Sequence, residues 1–252
     1  MSSPVPGSSL VLHLLFSAYN KNARATALRF IKITTNVYGL DKALRIIVYT
    51  LSLASALRLR VEPSSTIAPR IKALSSALAD TRIAMRLFST IPSIEYFLDP
   101  VCNPTTRQRF ANAALLVYAP AELAYWLGAH SVVPMTPLTL DRWSRLSCIG
   151  WGAWIVVELY EITLAISAKR EQLQAARVNA ASSADVKAAL AERDAVAAQL
   201  NDLYARAIAQ MCDLPMAVHW SLPSYPLPGE LVSALGIVGG VAGWWRMWRN
   251  AA

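Results

Sequence analysis

The sequence predicts an all-α fold in the form of a helical membrane protein. Hydrophobic residues make up 55% of its 252 positions and charged residues only 16%, whereas ordinary soluble domains contain roughly 45–50% and about 25%. Apolar residues recur at helical spacing opposite basic residues in the N-terminal third, and one or two later segments are long and apolar. A soluble helical bundle is the alternative, because a chain of this length can bury a sizeable core.

Positive charge is concentrated in the N-terminal third. The net charge is +8, and residues 1–90 contain 12 Lys and Arg but only 3 Asp and Glu, whereas the remainder contains 12 and 13. Such a basic region can bind nucleic acid or anionic lipid. The chain has no zinc-finger spacing, RNA-binding aromatic motif or glycine-rich phosphate loop. We therefore expect anionic lipid headgroups, and no nucleic acid, as partners.

The first predicted amphipathic helix covers residues 22–38. Arg24, Arg29 and Lys32 lie on one side of it, and Phe30 belongs to the apolar side. A glycine at position 39 ends this helix.

Two further amphipathic helices follow. The second is capped by Asp41 and ends near Val61, and the third covers about residues 67–90. The second has an apolar side and a basic side, formed by Leu44, Ile47 and Leu51 and by Lys42 and Arg45. The third has an apolar stripe that includes Phe88, and its basic side contains Lys72, Arg82 and Arg86.

These stripes allow two interpretations. The helices can pack together in a bundle with their charges solvated. Alternatively, at least one stripe lies in the headgroup layer while Lys and Arg reach toward phosphates. Under the second interpretation the two arrangements can alternate in one protein, and the basic and apolar residues of the three helices bind the membrane. These predicted membrane-binding residues are Arg24, Arg29, Phe30, Lys32, Lys42, Leu44, Arg45, Ile47, Leu51, Lys72, Arg82 and Arg86.

The middle of the chain contains two apolar segments. Residues 107–129 predict a helix kinked at Pro120 and carrying Glu122. Asp141 opens another helix, in which residues 146–168 are apolar apart from two glutamates. That stretch is long enough to span a bilayer. Its acids, Glu158 and Glu161, are three residues apart, which is more typical of a helix contact or a polar lining than of catalysis.

A polar hairpin and a glycine-rich helix complete the chain. Residues 169–212 predict a charged, alanine-rich hairpin broken near residues 179–183, and residues 219–228 form a proline-rich linker. The final helix, 230–248, is predicted to be a membrane helix. Its glycines have the small-residue spacing that permits close helix packing: Gly236, Gly239, Gly240 and Gly243. We divide the chain into an N-terminal amphipathic region, 1–100, and a membrane-associated region, 101–252.

No pattern indicates catalysis. The three cysteines and three histidines are widely separated and lack ligand spacing. We therefore expect no enzyme activity, no metal and no cofactor. The apolar segment 9–18 has no preceding basic residue, so we do not expect it to be a signal peptide.

The order of these segments resembles the peroxin-11 family of peroxisomal membrane proteins. The resemblance is carried by GLDKALRIIVY at Gly39–Tyr49, by the basic run from Pro69 to Leu87 and by the closing helix Gly236–Trp248. It covers nearly the whole chain in layout, and the long middle is closer to the gamma-type or fungal C-type branch. The polar hairpin 169–212 is a departure from the commonest pattern.

The resemblance implies a peroxisomal membrane protein that promotes elongation, proliferation and fission of peroxisomes. It implies self-association or association with related family members, a dynamin-type fission machinery as partner and recognition by a peroxisomal membrane-protein import receptor. Two other functions stay open. One is a pore or transporter for small metabolites, lined by Glu122, Glu158 and Glu161. The other is a scaffold in which the polar hairpin alone captures fission factors.

Overall fold

The computed structural model of the protein describes residues 21–86, 90–182 and 185–251, all within helices or short connections. No strand occurs among these residues, which confirms the predicted all-α fold. The predicted apolar segment 9–18 and Phe88 lie outside the described residues. The helices are α1 Lys21–Thr34, α2 Val37–Val61, α3 Ile67–Arg86, α4 Thr90–Leu98, α5 Thr106–Ala129, α6 Pro137–Ser182, α7 Val186–Ser221 and α8 Gly229–Asn250.

The boundary between α1 and α2 differs from the prediction. Asn36, not Asp41, caps α2, since its side-chain oxygen accepts a 2.8 Å hydrogen bond from the Tyr38 amide. Asp41 lies inside the helix and is buried. Gly39 is in the first turn of α2, where a Cβ atom would overlap the carbonyl group of Ile33. Glycine therefore allows the tight connection between the two helices.

A short helix, α4, lies between α3 and α5. Pro92 lies near the start of this helix, where a missing backbone amide costs no helical hydrogen bond. Helix α5 has the predicted bounds to within one residue and contains Pro120.

Helix α6 is longer than predicted. It begins at Pro137, four positions before Asp141, and continues to Ser182, so the apolar stretch and the first arm of the polar hairpin form one helix. Among the described residues, α6 is the helix whose length and composition suit a membrane crossing. The second arm begins after Asp185, whose side chain caps α7, and this helix runs through Pro215 to Ser221.

Six helices form a closed cycle in which each helix packs on two others. Helix α2 packs on α3 and α8, α7 packs on α8 and α6, and α5 packs on α6 and α3. Helix α1 packs on α2 and α8, and α4 packs on α5. The predicted N-terminal and C-terminal regions therefore meet through α2 and α8. Their division at residue 100 stays a prediction.

Candidate functional site

A buried ion pair and the hydrogen bond of its arginine connect α2, α7 and α8. Nη1 of Arg45 in α2 lies 3.1 Å from Oδ2 of Asp213 in α7, and the two side chains are only 5% and 8% exposed. Nε of Arg45 also donates a 3.1 Å hydrogen bond to the carbonyl oxygen of Gly236 in α8. Several donors of the guanidinium group are thus satisfied, as burial of a charge requires.

A second polar cluster joins α2, α3 and α5. Asp41 accepts hydrogen bonds from Nε of Arg82 at 3.0 Å and from Nη1 of Arg86 at 3.2 Å. Nη2 of Arg86 donates to Oε1 of Glu122 at 2.7 Å, and the Tyr118 hydroxyl donates to Oε2 of the same glutamate at 2.9 Å. Each acid therefore has at least one arginine partner, which offsets the cost of burying it.

The two clusters change the ionisation of their neighbours. Burial raises the pKa of Asp41, but the positive charges of Arg82 and Arg86 outweigh it, so this pKa lies below its ordinary value. Lys42 is on the same helix and lies over the Tyr38 ring, with Nζ 5.1 Å from the ring centroid. Burial, with repulsion by Arg45, lowers the pKa of Lys42 to about 8. The interior thus favours carboxylates and arginines and disfavours a protonated lysine.

Several predicted membrane-binding residues lie in this interior and not on an outer polar face. Arg45 and Arg82 are buried, and Arg86 and Lys42 are half-buried. The reason is that acids on distant helices pair with the arginines, which helical periodicity alone does not reveal. The usable signal was the presence of Asp41, Glu122 and Asp213 in segments otherwise apolar or basic. A lipid-binding role of the four basic residues stays a prediction.

The other predicted membrane-binding residues lie at or near the surface. Arg24, Phe30, Lys32, Ile47 and Lys72 are exposed. The remaining members of the set are half-buried: Arg29, Leu44 and Leu51.

Two of the exposed residues touch the C-terminal helix. Nζ of Lys32 lies 3.5 Å from the carbonyl oxygen of Ala251, and the Phe30 ring centroid lies 5.6 Å from that of Trp244. These contacts hold α1 against the end of α8.

The glycines of α8 face α2. A Cβ atom on Gly236 would overlap the ring of Tyr49, and one on Gly240 would lie 2.9 Å from Cγ1 of Ile46. A Cβ atom on Gly239 would lie 2.9 Å from Nη2 of Arg45, whereas the nearest atom at Gly243 would be 3.6 Å away. Three of the four predicted packing glycines therefore lie where the helices approach most closely.

A similar glycine position lies in α6 and was not predicted from the sequence. A Cβ atom on Gly150 would lie 2.9 Å from both the carbonyl oxygen of Ala114 and the amide nitrogen of Tyr118. This glycine permits close backbone contact between α5 and α6. The signal available was a pair of small residues, Gly150 and Gly152, within a long apolar segment.

Many large apolar side chains are exposed on the outside of the helical bundle. On α6, exposed residues at helical spacing form one stripe from Leu146 to Leu164. The other members of this stripe include Ile149, Val156 and Tyr160. Further exposed apolar residues lie on four neighbouring helices: Ile47, Leu57 and Val61 in α2, Phe110 and Val117 in α5, Ile208, Met211 and Val218 in α7, and Leu231, Val238 and Val241 in α8. Soluble proteins rarely expose apolar surface so extensively.

The three glutamates of the predicted polar path are paired. Glu122 pairs with Arg86, and Glu158 pairs with Arg206 of α7. Oε1 of Glu161 lies 2.8 Å from Nε of Arg107 in α5. Their charges are therefore partly neutralised by arginines on adjacent helices.

Comparison with known proteins assigns the family. No curated protein and no solved structure matches the chain significantly. The family model described as Peroxisomal biogenesis factor 11 (PEX11) matches residues 28–248, which includes α2, both polar clusters and the glycines of α8. Membership of the gamma-type or fungal C-type branch stays a prediction. The chain belongs to the PEX11 family of peroxisomal biogenesis factors.

Proposed function

We propose that the protein remodels the peroxisomal membrane, promoting its elongation, proliferation and fission through insertion of amphipathic helices and self-association. The observation that carries this proposal is the distribution of polarity: two clusters of ion pairs are buried inside the helical bundle, while many large apolar side chains are exposed on its outside. Such a surface is stabilised by contact with lipid.

Helix α6 supplies the membrane crossing in this proposal. Its exposed apolar stripe runs from Leu146 to Leu164. At 1.5 Å per residue this stripe is about 27 Å long, close to the ~30 Å hydrocarbon core of a bilayer. Lys169 and Arg170 follow the apolar stretch and suit the headgroup region.

Helix α1 supplies the leaflet insertion. Leu28 and Ile31 lie on one face of α1 and are 54% and 53% exposed. Arg24 and Lys32 flank this face. Apolar side chains beside basic residues are typical of helices that lie in the headgroup layer. Their insertion expands one leaflet and favours positive curvature, which self-association would concentrate.

The partners follow the family resemblance. We propose anionic headgroups as the lipid partner of α1, and a second copy or a related family member as the protein partner. A dynamin-type fission machinery would act on the elongated membrane, and a peroxisomal membrane-protein import receptor would deliver the chain.

The test compares two double variants of the full-length, fluorescently tagged protein. Leu28→Glu with Ile31→Glu places two acids on the proposed inserting face. Val178→Glu with Val186→Glu is the matched control, because these valines are 65% and 53% exposed near the tip of the polar hairpin. The location and shape of peroxisomes are scored for each.

We expect wild type and the hairpin variant to elongate peroxisomes and the α1 variant to reach them without elongating them. Equal elongation by all three proteins would contradict insertion of α1. Loss of elongation only in the hairpin variant would favour the scaffold function.

A metabolite pore is the second candidate, favoured by the charged groups that line the interior of the helix cycle. Conductance of the purified protein in planar bilayers tests it. A conductance whose ion selectivity changes with Glu158→Gln would support the pore, since Glu158 is half-buried and pairs with Arg206 between α6 and α7.

A further inference from the structure

A cleft with an excess of positive charge lies between α6, α7 and α8. Its volume is about 570 Å³. It is lined by one turn of each helix, at the end of the bundle where the apolar stretch of α6 gives way to Lys169. Helix α7 forms its floor, because α6 and α8 do not pack directly on each other.

The cleft contains three cations and one carboxylate. Nε of Arg246 donates a 2.7 Å hydrogen bond to Oδ1 of Asp202, so these two charges offset each other. The guanidinium carbon of Arg249 lies 4.8 Å from the centroid of the Trp245 ring, and Nζ of Lys169 donates to the side-chain oxygen of Gln172. Within the described part of the chain, neither Lys169 nor Arg249 forms an ion pair. The described residues that line the cleft thus carry two surplus positive charges.

An apolar groove begins beside this cleft. It lies between α7 and α8, has a volume of about 520 Å³ and is lined mostly by aliphatic side chains, which include Ile208, Ile237 and Val241. Trp245 borders both the cleft and the groove. Tryptophan with arginine or lysine is the usual composition of the boundary between headgroups and acyl chains.

We propose that the cleft binds the phosphate of an anionic phospholipid, with Lys169 and Arg249 as its ligands and an acyl chain of the lipid in the adjacent groove. The guanidinium group of Arg249 can donate two hydrogen bonds to phosphate oxygens, and the ammonium group of Lys169 supplies a point charge. This inference rests on the proposed membrane location and adds a defined lipid site that is separate from α1. A soluble phosphate has the same chemistry, so the test distinguishes the two sources.

The experiment measures lipid binding to the purified full-length chain in neutral detergent by native mass spectrometry. Phosphatidic acid, phosphatidylcholine and inorganic phosphate are titrated separately. The test variant is Lys169→Gln with Arg249→Gln. The control is Arg177→Gln with Lys187→Gln, which removes the same charge from exposed positions on the polar hairpin. Arg249→Lys keeps the charge and tests whether the site survives a conservative change.

We expect phosphatidic acid to bind wild type and the control variant equally, and the test variant about 25-fold more weakly, since each basic residue contributes roughly fivefold. Arg249→Lys should retain most of the affinity. Equal binding of phosphatidylcholine, equal weakening in the control, or binding of inorganic phosphate without phosphatidic acid would overturn the proposal. The Leu28→Glu, Ile31→Glu protein should bind phosphatidic acid normally, which separates failure of this site from failure of leaflet insertion.

Discussion

At the residue scale, the pairing of Arg45 with Asp213 shows how two charges can be kept inside a largely apolar chain. The arginine also bonds the Gly236 carbonyl oxygen, so α2, α7 and α8 all depend on one guanidinium group. Loss of one partner leaves an unpaired buried charge, whereas loss of both leaves none.

This asymmetry predicts a non-additive result. Arg45→Met or Asp213→Leu alone should lower the free energy of unfolding by about 3–5 kcal/mol, and the double variant should be less destabilised than the more affected single variant. Denaturation of the four proteins in one detergent measures the coupling. Additive losses would show that the ion pair does not contribute as a unit.

Lys42 is expected to make stability increase with pH. Its pKa is about 8 in the folded chain, whereas a lysine in an unfolded chain has the ordinary value of 10.5. Between these values the unfolded chain binds more protons, so unfolding becomes less favourable as pH rises. Lys42→Met should therefore be more stable than wild type near pH 7, by about 1–3 kcal/mol, with a smaller difference above pH 8.

Denaturation of wild type and Lys42→Met at a series of pH values checks this. The difference between the two proteins is the relevant quantity, since it cancels the titration of tyrosines and cysteines common to both. A difference that stays constant with pH would contradict the prediction.

At the residue scale, helical periodicity predicted which basic or apolar residues share a helix face, but not which side chains they contact. Arg45 and Asp213 are 168 positions apart, and helical periodicity carries no information over that separation. Arg45, Arg82 and Arg86 lie in the interior and not on an outer face, because arginine is compatible with an interior that contains acids.

At the element scale, the helical periodicity of apolar residues predicted most of the helices, whereas local side-chain hydrogen bonds determined where they begin and end. Asn36 displaced Asp41 as the cap of α2 because its side chain reaches the Tyr38 amide. Lys169 begins the predicted polar hairpin, yet α6 continues through it without a break. The change of composition at this residue marks a change of surroundings, not of backbone conformation.

The glycines of α8 give a prediction at this scale. Gly236→Ala should destabilise the protein by about 1–3 kcal/mol, since its Cβ atom would overlap the Tyr49 ring. Gly243→Ala is the matched control and should stabilise by about 0.5–1 kcal/mol, because alanine favours a helix and the site has ordinary contact distances. Thermal unfolding compares them, and similar shifts for both would show that α2 and α8 are not closely packed.

At the scale of the whole molecule, many large apolar side chains are exposed, whereas the ion pairs of Arg45, Arg82 and Arg86 lie in the interior. The sequence predicted a membrane protein from composition, and the family match supports peroxisome biogenesis. The inward placement of the charges could not be predicted, because it depends on how six helices close into one cycle.

A single crossing by α6 predicts that its two ends lie on opposite sides of the membrane. Val132 precedes the helix and Val178 lies near its end, and both are well exposed, at 63% and 65%. In a chain whose native cysteines are replaced by alanine, Val132→Cys and Val178→Cys should react oppositely with a membrane-impermeant maleimide on intact peroxisomes. Labelling of both without permeabilisation would exclude the crossing.

The continuity of α6 has a mechanical consequence. Its polar arm, from Lys169 to Ser182, extends about 20 Å along the helix axis at 1.5 Å per residue, and it is braced by α7 through buried residues that include Leu173 and Leu200. If α6 crosses the bilayer as proposed, a load applied at the tip acts on the membrane through a stiff lever and not through a flexible tether. A partner bound at this tip would then tilt the helices within the lipid and apply a bending moment to the membrane.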